Sequence, residues 1–368
     1  MNRPVWTFCV KNLDVNLGNV MQAITRRHRL EVAFRYWWYR LKLLLRQNVN
    51  VDKNFFAADA AVRLTDGILP KGTRITCSGR TDGVGMQALA RMSGIHFAHA
   101  FGATYVDTPF KRVSKAPGEM SEWIESWEKL FNFGKGEERI NNGDYRIVEY
   151  PDYLSGKAKL DQNSVIRFQQ CYWISRRYPD AFKEISPSLQ EKFGLPQTRA
   201  AGDAVVVAIH VRRGDVGSNT NALRFTPNKK ILKTIECLRQ VSKSQGTSFR
   251  IEIFSQGEPA DFTEFSDAGC HLNLDTDAVW TMRKLVEADV LVMAKSSFSY
   301  AAALINRGVK IYEPTFNPPL SHWIIKRRDG SFDETLAALR LREYLGSLGA
   351  EKPADAADRI KGVASAAE

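Results

Sequence analysis

The sequence predicts an α/β protein of two Rossmann-like domains that face each other across a cleft. Two series of alternating strands and helices begin near residues 73 and 204, and Pro179, Pro187 and Pro196 interrupt the stretch between them. A chain of 368 residues is too long for one ordinary domain and suits two. We therefore expect domains at 1–197 and 198–348, followed by an alanine-rich, disordered tail at 349–368.

Composition narrows the class of protein. Hydrophobic residues make up 44% of the chain and charged residues 25%, as in soluble globular proteins, and no apolar run reaches the roughly 18 residues of a membrane span. The amino terminus lacks the pattern of a secretory signal, so we expect a cytoplasmic protein. Five scattered cysteines without a CxxC pair argue against disulfides and structural zinc, and each is expected to be a small buried side chain.

The net charge of +11 is concentrated at the amino terminus, where residues 1–53 contain ten Lys and Arg against three Asp and Glu. Residues 28–46 predict an amphipathic helix that packs on its own domain and keeps a solvated basic face. The alternative is a helix on an anionic membrane, which would make the protein peripheral on the inner face. Nucleic-acid binding is disfavoured, because it calls for a basic stripe over a folded face.

The first series opens with a strand at 73–77, a glycine-rich loop at 78–87, a helix through HFAHAFG and a strand in TYVDTPF. This order is the opening of a βαβ unit. Residues 115–160 show little periodicity, and residues 161–178 predict a helix. Asp82 follows the first strand, so its carboxylate would stand at the carboxyl edge of the sheet and face the cleft.

The second series begins at AVVVAIHV, residues 204–211, an apolar run typical of a buried parallel strand. Helices in NKKILKTIECLRQVSKS, AVWTMRKLVEA and SSFSYAAALINRG alternate with strands in FRIEIFSQG, HLNLD, DVLVMA and VKIYEP, and ADFTEFSDAG forms a helix or turn. The alternation indicates a doubly wound sheet, whose ligands bind outside the carboxyl ends of the strands.

The segment IHVRRGDV, residues 209–216, follows the first strand of this second sheet. His210, Arg212, Arg213 and Asp215 would stand at the ligand edge. There a planar guanidinium can hold a diphosphate through two hydrogen bonds. The competing interpretation is a surface loop in which one arginine forms a salt bridge with Asp215.

A second anion site is predicted within residues 287–305, where a buried strand ends at Lys295 and serines open the next helix. Hydroxyl groups and free backbone N–H groups at a helix start attract phosphate. The candidates are Ser296, Ser297 and Ser299, and N-capping by one of them is compatible with this role.

HVRRGD after a buried strand, followed by ADVLVMAKSSFSYAA, resembles the fucosyltransferases of the α1,2/α1,6 and protein-O-fucosyltransferase superfamily. That superfamily carries an HxRRxD-type motif and a later SSFS-type segment, and GVGMQALARMSGIHFAHAFGATYV resembles its amino-terminal segment. The resemblance covers at most residues 75–110 and 204–320. It implies a GT-B-like fold, GDP-fucose as donor, inversion at the anomeric carbon, no cofactor and no obligatory metal.

The resemblance also implies roles for the motif residues. Arg212 would bind the β-phosphate of the donor, with His210 and Arg213 beside it. The phosphate or nucleoside side of the same pocket would be lined by Ser296, Ser297 and Phe298.

The nucleoside end departs from the family pattern. The helix position that selects guanine in the family corresponds to Thr281 or Met282. If a side chain selects guanine here, it would have to be that of Asp277 or Asp275. Met86 stands where the family usually has asparagine. These departures leave the identity of the donor open.

Catalysis is expected to need a cation for the leaving group and a base for the acceptor. Arg212 would stabilise the charge that grows on the departing diphosphate. Asp82 and Asp215 are the candidate bases for the acceptor hydroxyl, and Asp82 is preferred because the acceptor normally sits on the first domain.

The predicted function is transfer of fucose from GDP-fucose to a glycan or lipid-linked glycan, by a metal-independent inverting enzyme. One alternative is a transferase of the same fold that uses another nucleotide sugar. The other is a non-catalytic protein of that fold that binds a nucleotide or a glycan.

Overall fold

A computed structural model describes residues 69–70, 72–142, 144–154, 157–172, 182–195 and 204–349. The predicted helix at 28–46, the domain boundary near 198 and the tail beyond residue 349 lie outside these residues and stay predictions. The described strands form two sheets, and every strand pairing in them is parallel.

The first sheet belongs to residues 74–168, which with the helix that follows we call the first unit. Its strands are β1 (Arg74–Cys77), β2 (Thr104–Asp107), β3 (Glu138–Arg139), β4 (Arg146–Glu149) and β5 (Ser164–Phe168). Its helices are α1 (Val84–Phe101), α2 (Met120–Phe131), α3 (Tyr150–Leu154) and α4 (Phe182–Phe193). The strand order is β3-β2-β1-β5-β4, so the order reverses between β1 and β5.

The second sheet belongs to residues 205–349, the second unit. Its strands are β6 (Val205–His210), β7 (Phe249–Ser255), β8 (His271–Leu274), β9 (Val290–Val292), β10 (Val309–Tyr312) and β11 (Ile324–Ile325). Its helices are α5 (Asn228–Gln245), α6 (Thr263–Asp267), α7 (Ala278–Glu287), α8 (Ser297–Ile305) and α9 (Glu334–Gly349). The strand order is β8-β7-β6-β9-β10-β11. Counted from β6 this is the Rossmann order 3-2-1-4-5-6, whose ligands bind where the order reverses, here between β6 and β9.

The apolar run at 204–211 forms the centre of the second sheet, as predicted. Val205, Val207 and Ile209 are at most 1% exposed and belong to one hydrophobic cluster with Ile235 of α5 and Leu341 of α9. Helices thus cover this strand on its buried faces, which explains why its sequence is continuously apolar rather than alternating.

The prediction of a helix over residues 161–178 is wrong where these residues are described, because residues 164–168 form β5. Val165 and Ile166 are β-branched and completely buried. The strand pairs with β1 on one side and β4 on the other. Pairing on both sides, together with β-branched side chains, outweighs the helical pattern in the sequence.

Helices α2 and α9 are not predicted from the sequence. In α2, Trp123, Trp127 and Phe131 recur every four residues and are all buried. This aromatic repeat was a helical signal within a stretch otherwise rich in charge and glycine.

The carboxyl ends of β1 and β6 border a common cavity lined by residues of both units. The predicted fold class is therefore confirmed: the chain contains two Rossmann-like α/β units that face each other across a cleft, the GT-B-like arrangement.

Three histidines are poorly solvated in the folded protein. Mainly through burial, the pKa is lowered to about 4 for His96, to about 3 for His210 and to about 2 for His322. A histidine in an unfolded chain takes up its proton near pH ~6.5.

We expect the free energy of unfolding to fall as the pH drops below ~6.5, because the unfolded chain then binds protons that the folded chain does not. The loss should approach about 1.4 kcal/mol per pH unit for each histidine until its folded pKa is reached. Urea unfolding in steps from about pH 7.5 to about pH 5, above the ordinary range of carboxylates, measures it. A free energy that stays constant over these steps would contradict the burial of these side chains.

Candidate functional site

The cavity between the units has a volume of about 520 Å³. Seven of the predicted site residues line it, from both units: Asp82, His210, Arg212, Arg213, Asp215, Ser297 and Phe298. The fold thus brings together, at the carboxyl edges of both sheets, side chains that lie far apart in the sequence.

The HVRRGD segment leaves β6 at the point where the strand order reverses. Val211 continues the sheet for one residue, because its backbone N–H donates to the carbonyl of Phe254 at 2.9 Å. Gly214 then turns the chain with a φ of 72°, and a Cβ there would lie 2.6 Å from the side-chain oxygen of Gln256. The glycine of this motif is therefore required by its left-handed backbone.

Arg212 is held by two partners. Its Nη1 donates to Oγ of Ser296 at 3.0 Å, and its Nη2 donates to both carboxylate oxygens of Asp215, at 2.9 and 2.8 Å. Its buried Nε has no hydrogen-bond partner among the described residues. The side chain keeps 20% of its surface exposed, so the guanidinium is oriented and still reachable from the cavity.

Asp215 connects cations of the two units. One carboxylate oxygen lies 3.4 Å from Nζ of Lys115, which belongs to the loop between β2 and α2. Burial works to raise the pKa of Asp215, but the charges of Arg212 and Lys115 outweigh it and lower this pKa. The salt bridge considered as a competing interpretation is thus present, and it lies in the cavity wall.

Arg213 has a different environment from Arg212. Its nitrogens donate to the carbonyl of Arg212 at 2.9 Å, to the carbonyl of Thr226 at 3.0 Å and to Oδ1 of Asn228 at 2.7 Å. Its guanidinium also lies 4.5 Å from the ring centroid of Phe225. Although Arg213 borders the cavity, these donors fasten the motif to the start of α5.

His210 is the last residue of β6, and its ring lies 5.6 Å from that of Phe298. Burial, followed by the neighbouring charge of Arg212, lowers its pKa to about 3, so the imidazole is neutral near pH ~7. Its buried Nδ1 has no hydrogen-bond partner within the described part of the chain. His210 is therefore a neutral polar group at the cavity, while Arg212 carries the charge.

The three predicted serines have separate positions. Ser296 is the N-cap of α8, and its Oγ accepts from the N–H of Phe298 at 3.2 Å in addition to Arg212. Ser297 lines the cavity. Ser299 is completely buried, and its hydroxyl accepts from the N–H of Ala294 at 3.2 Å, so it supports the link between β9 and α8.

Helices α1 and α8 begin at the cavity and contact each other there. A Cβ on Gly85, in the first turn of α1, would lie 2.6 Å from the backbone nitrogen of Phe298. The starts of two helices, one from each unit, therefore adjoin the cavity, and both helix dipoles favour an anion there.

Asp82 also lines the cavity, and its carboxylate forms a salt bridge with Arg80 of the same loop. The loop keeps its shape because the carbonyl of Asp82 accepts from Nε2 of Gln87 at 2.6 Å and from the N–H of Ser114 at 3.2 Å. Its side chain is 39% exposed. The predicted base is thus placed in the wall that the first unit contributes.

The two carboxylates suggested for guanine selection bind backbone groups. Asp275, with a φ of 48°, accepts from the N–H of Gly257 at 3.1 Å. Asp277 caps α7 and accepts from the N–H of Trp280 at 2.7 Å. Neither lines the cavity, whereas Thr276, Ala278 and Thr281 do.

Asp277→Ala should lower the free energy of unfolding by about 1 kcal/mol, because α7 loses its N-cap. Nucleotide affinity should stay close to that of the unchanged protein. Urea unfolding and calorimetric titration with GDP measure the two effects. If stability holds while GDP affinity falls, the carboxylate has the base-binding role predicted from the family resemblance.

Several cavity residues were missed by the sequence analysis. They come from segments without a clear motif, and they are Ser114, Lys115, Trp123, Trp127, Arg224 and Phe254. The two tryptophans carried a signal in their four-residue spacing, whereas a lone lysine in a loop carried none.

Other sequence predictions concern the chemistry of the whole chain. Cys77, Cys171, Cys237 and Cys270 are free and buried, as predicted, and Cys9 lies outside the described residues. In the described ranges no group of three or more His, Cys, Asp and Glu side chains is placed to hold a metal ion. No helix in those ranges is long and apolar enough to cross a membrane.

The sequence matches no protein-family model and no curated protein. Similar solved structures include fucosyltransferase NodZ from Bradyrhizobium, with 12% identity, a TM-score of 0.37 and coverage of 72% of this chain and 98% of NodZ. E. coli heptosyltransferase WaaC with ADP has 12% identity, a TM-score of 0.38 and coverage of 75% and 100%. POFUT1 in complex with GDP has 13% identity, a TM-score of 0.31 and coverage of 65% and 96%. At such identities and TM-scores these likenesses decide nothing about substrates.

Proposed function

We propose that this protein is a glycosyltransferase that binds a nucleotide sugar in the cavity and transfers fucose from GDP-fucose to a glycan. The observation that carries the proposal is the guanidinium of Arg212, oriented by Ser296 and Asp215 where the strand order of a Rossmann sheet reverses. Ligands of such sheets bind at this point, and a planar guanidinium suits a diphosphate.

Each part of the nucleotide sugar would lie against a different part of the cavity wall. The diphosphate would lie between Arg212 and the start of α8. The nucleoside would lie towards the ends of β7 and β8, where the cavity is lined by Phe254, Thr276 and Thr281. The sugar and its acceptor would then face the wall of the first unit, which contains Asp82.

Transfer from this position requires leaving-group stabilisation and a base. Arg212 and the dipole of α8 would stabilise the charge that develops on the diphosphate, without a metal ion. Asp82 is preferred over Asp215 as the base for the acceptor hydroxyl. Asp215 lies next to two cations whose charges lower its pKa, so it is a poor proton acceptor.

A second candidate is a transferase of the same type that uses another nucleotide sugar. It is favoured because Asp275 and Asp277 do not line the cavity and are instead engaged with backbone N–H groups. The N–H donors of guanine bind most strongly to a carboxylate, whereas the threonines that line this end accept hydrogen bonds without a negative charge.

A thermal-shift panel of GDP, UDP, ADP and CMP distinguishes the two candidates. A nucleotide that binds only the native state raises the melting temperature, by an amount that depends on its concentration over Kd. Stabilisation by GDP above the other three supports a GDP-sugar as the donor, which the fucose proposal requires. Preferential stabilisation by UDP or ADP supports the second candidate, and no stabilisation by any nucleotide contradicts both.

A further inference from the structure

We propose that Lys115 of the first unit is a second cation that binds the donor diphosphate. Without ligand, Asp215 forms salt bridges with both Lys115 and Arg212, and the diphosphate replaces it when the donor binds. The inference rests on the proposed nucleotide site. It assigns a residue of the opposite unit to diphosphate binding and makes Asp215 an internal competitor of the donor.

The negative charge of a diphosphate requires more than one cation in the cavity. A nucleotide diphosphate brings at least two negative charges, and within the described residues four cationic side chains line the cavity: Lys115, Arg212, Arg213 and Arg224. Arg213 directs its hydrogen bonds to two carbonyls and an amide oxygen. Arg224 lies 5.9 Å from the ring centroid of Phe316. Lys115 is the cation that shares a carboxylate partner, Asp215, with Arg212.

The two cations converge on one carboxylate oxygen. Oδ2 of Asp215 lies 2.8 Å from Nη2 of Arg212 and 3.4 Å from Nζ of Lys115. The two cations therefore form an anion-binding site, which is occupied by the carboxylate of Asp215. A phosphate oxygen can take the same place, since guanidinium and ammonium groups bind both kinds of oxygen.

Both partners have room for the exchange. The side chain of Asp215 is 40% exposed and that of Lys115 is 65% exposed. Asp215 can thus turn into solvent when a diphosphate arrives, and Lys115 can follow the ligand. The exchange keeps each cation paired before and after binding, so neither is left uncompensated.

The backbone fixes where Lys115 stands. Its φ of 66° is left-handed, a conformation that costs a residue with a Cβ about 1–2 kcal/mol. The preceding residue, Ser114, donates its N–H to the carbonyl of Asp82 at 3.2 Å. Lys115 is thereby tied to the loop that carries the preferred base.

Two substitutions should change diphosphate affinity in opposite directions. Lys115→Gln removes a cation from the ligand and should weaken binding about fivefold, a value that allows for solvent screening. Asp215→Asn keeps the shape of the side chain but frees both cations, and should strengthen binding about fivefold. Lys111→Gln is the matched control, since Lys111 is exposed in the same loop and does not line the cavity.

The test is calorimetric titration of the full chain and its variants with GDP and with inorganic pyrophosphate, with melting temperatures to verify folding. The decisive protein is Lys115→Gln combined with Asp215→Asn. If Lys115 contacts the ligand, the lysine substitution weakens binding in the Asp215→Asn background too. If Lys115 is only a salt-bridge partner of Asp215, the lysine substitution leaves binding unchanged in the Asp215→Asn background. That result overturns the inference.

The remaining outcomes separate the inference from the proposed function. An unchanged protein that binds neither GDP nor pyrophosphate overturns the nucleotide site and the inference together. If the unchanged protein and Lys115→Gln bind GDP and pyrophosphate equally tightly, the inference alone is overturned. Weaker binding by Asp215→Asn would show that Asp215 supports the ligand rather than competing with it.

Discussion

Arg212→Lys should lower the rate of sugar transfer by about a hundredfold to a thousandfold, the usual cost of losing a strong charge-stabilising donor. Lysine keeps the positive charge but loses the planar fork that now binds Ser296 and Asp215 at the same time. Because the charge on the diphosphate grows towards the transition state, the loss should appear mainly in kcat. The melting temperature without ligand should hardly change, since partly exposed ion pairs contribute little.

Arg213→Lys is the matched control for this substitution. Its hydrogen bonds to backbone carbonyls and to Asn228 hold the motif in place, so its loss should lower the melting temperature more and the rate less. Initial rates and melting points of both variants give the comparison. An Arg212→Lys protein that turns over within a few-fold of the unchanged enzyme would remove Arg212 from the proposed role.

Gly85→Ala should destabilise the protein by about 1–3 kcal/mol or more, because its Cβ would meet backbone atoms rather than a flexible side chain. The nearest atom is the backbone nitrogen of Phe298, at 2.6 Å. The starts of α1 and α8 would have to separate, and this would also widen the cavity that Phe298 lines. We expect a melting temperature lower by several degrees and weaker nucleotide binding.

Gly83→Ala provides the control two residues earlier. A Cβ on Gly83 would meet Oγ of Ser114 at 3.9 Å, which is an ordinary contact, and its φ of −64° suits alanine. Because Gly83 is the N-cap of α1, where alanine is less favourable than glycine, the free energy of unfolding should fall by only about 0.5 kcal/mol. Equal melting temperatures for the two variants would mean that the helices do not pack as closely as described.

The parts of the fold that the sequence predicted well are those in which local pattern and tertiary environment agree. The run from Val205 to Ile209 is apolar because helices cover it, and its apolar continuity indicated that environment directly. The segment containing Val165 and Ile166 was mistaken for a helix, because its place between two strands is a tertiary fact that the local pattern does not contain.

The same distinction applies to the site. The position of Arg212 in the cavity wall could be predicted because its motif directly follows a buried strand, and strand ends form ligand edges. The contact of Lys115 with Asp215 joins positions 100 residues apart, from two units, and only the folded chain reveals it. Asp275 and Asp277 looked like free carboxylates in the sequence, but each is satisfied by a nearby backbone N–H.

The most direct test of the central claim is calorimetric titration of the protein with GDP-fucose and GDP in the presence of a chelator. We predict binding of both without divalent metal, and separate rate measurements should show a marked loss of turnover when Arg212 is replaced by lysine. The contrary result is clear: no binding of GDP or GDP-fucose in chelator, while UDP or a metal-dependent nucleotide binds well. That result would contradict the assignment of GDP-fucose as the donor.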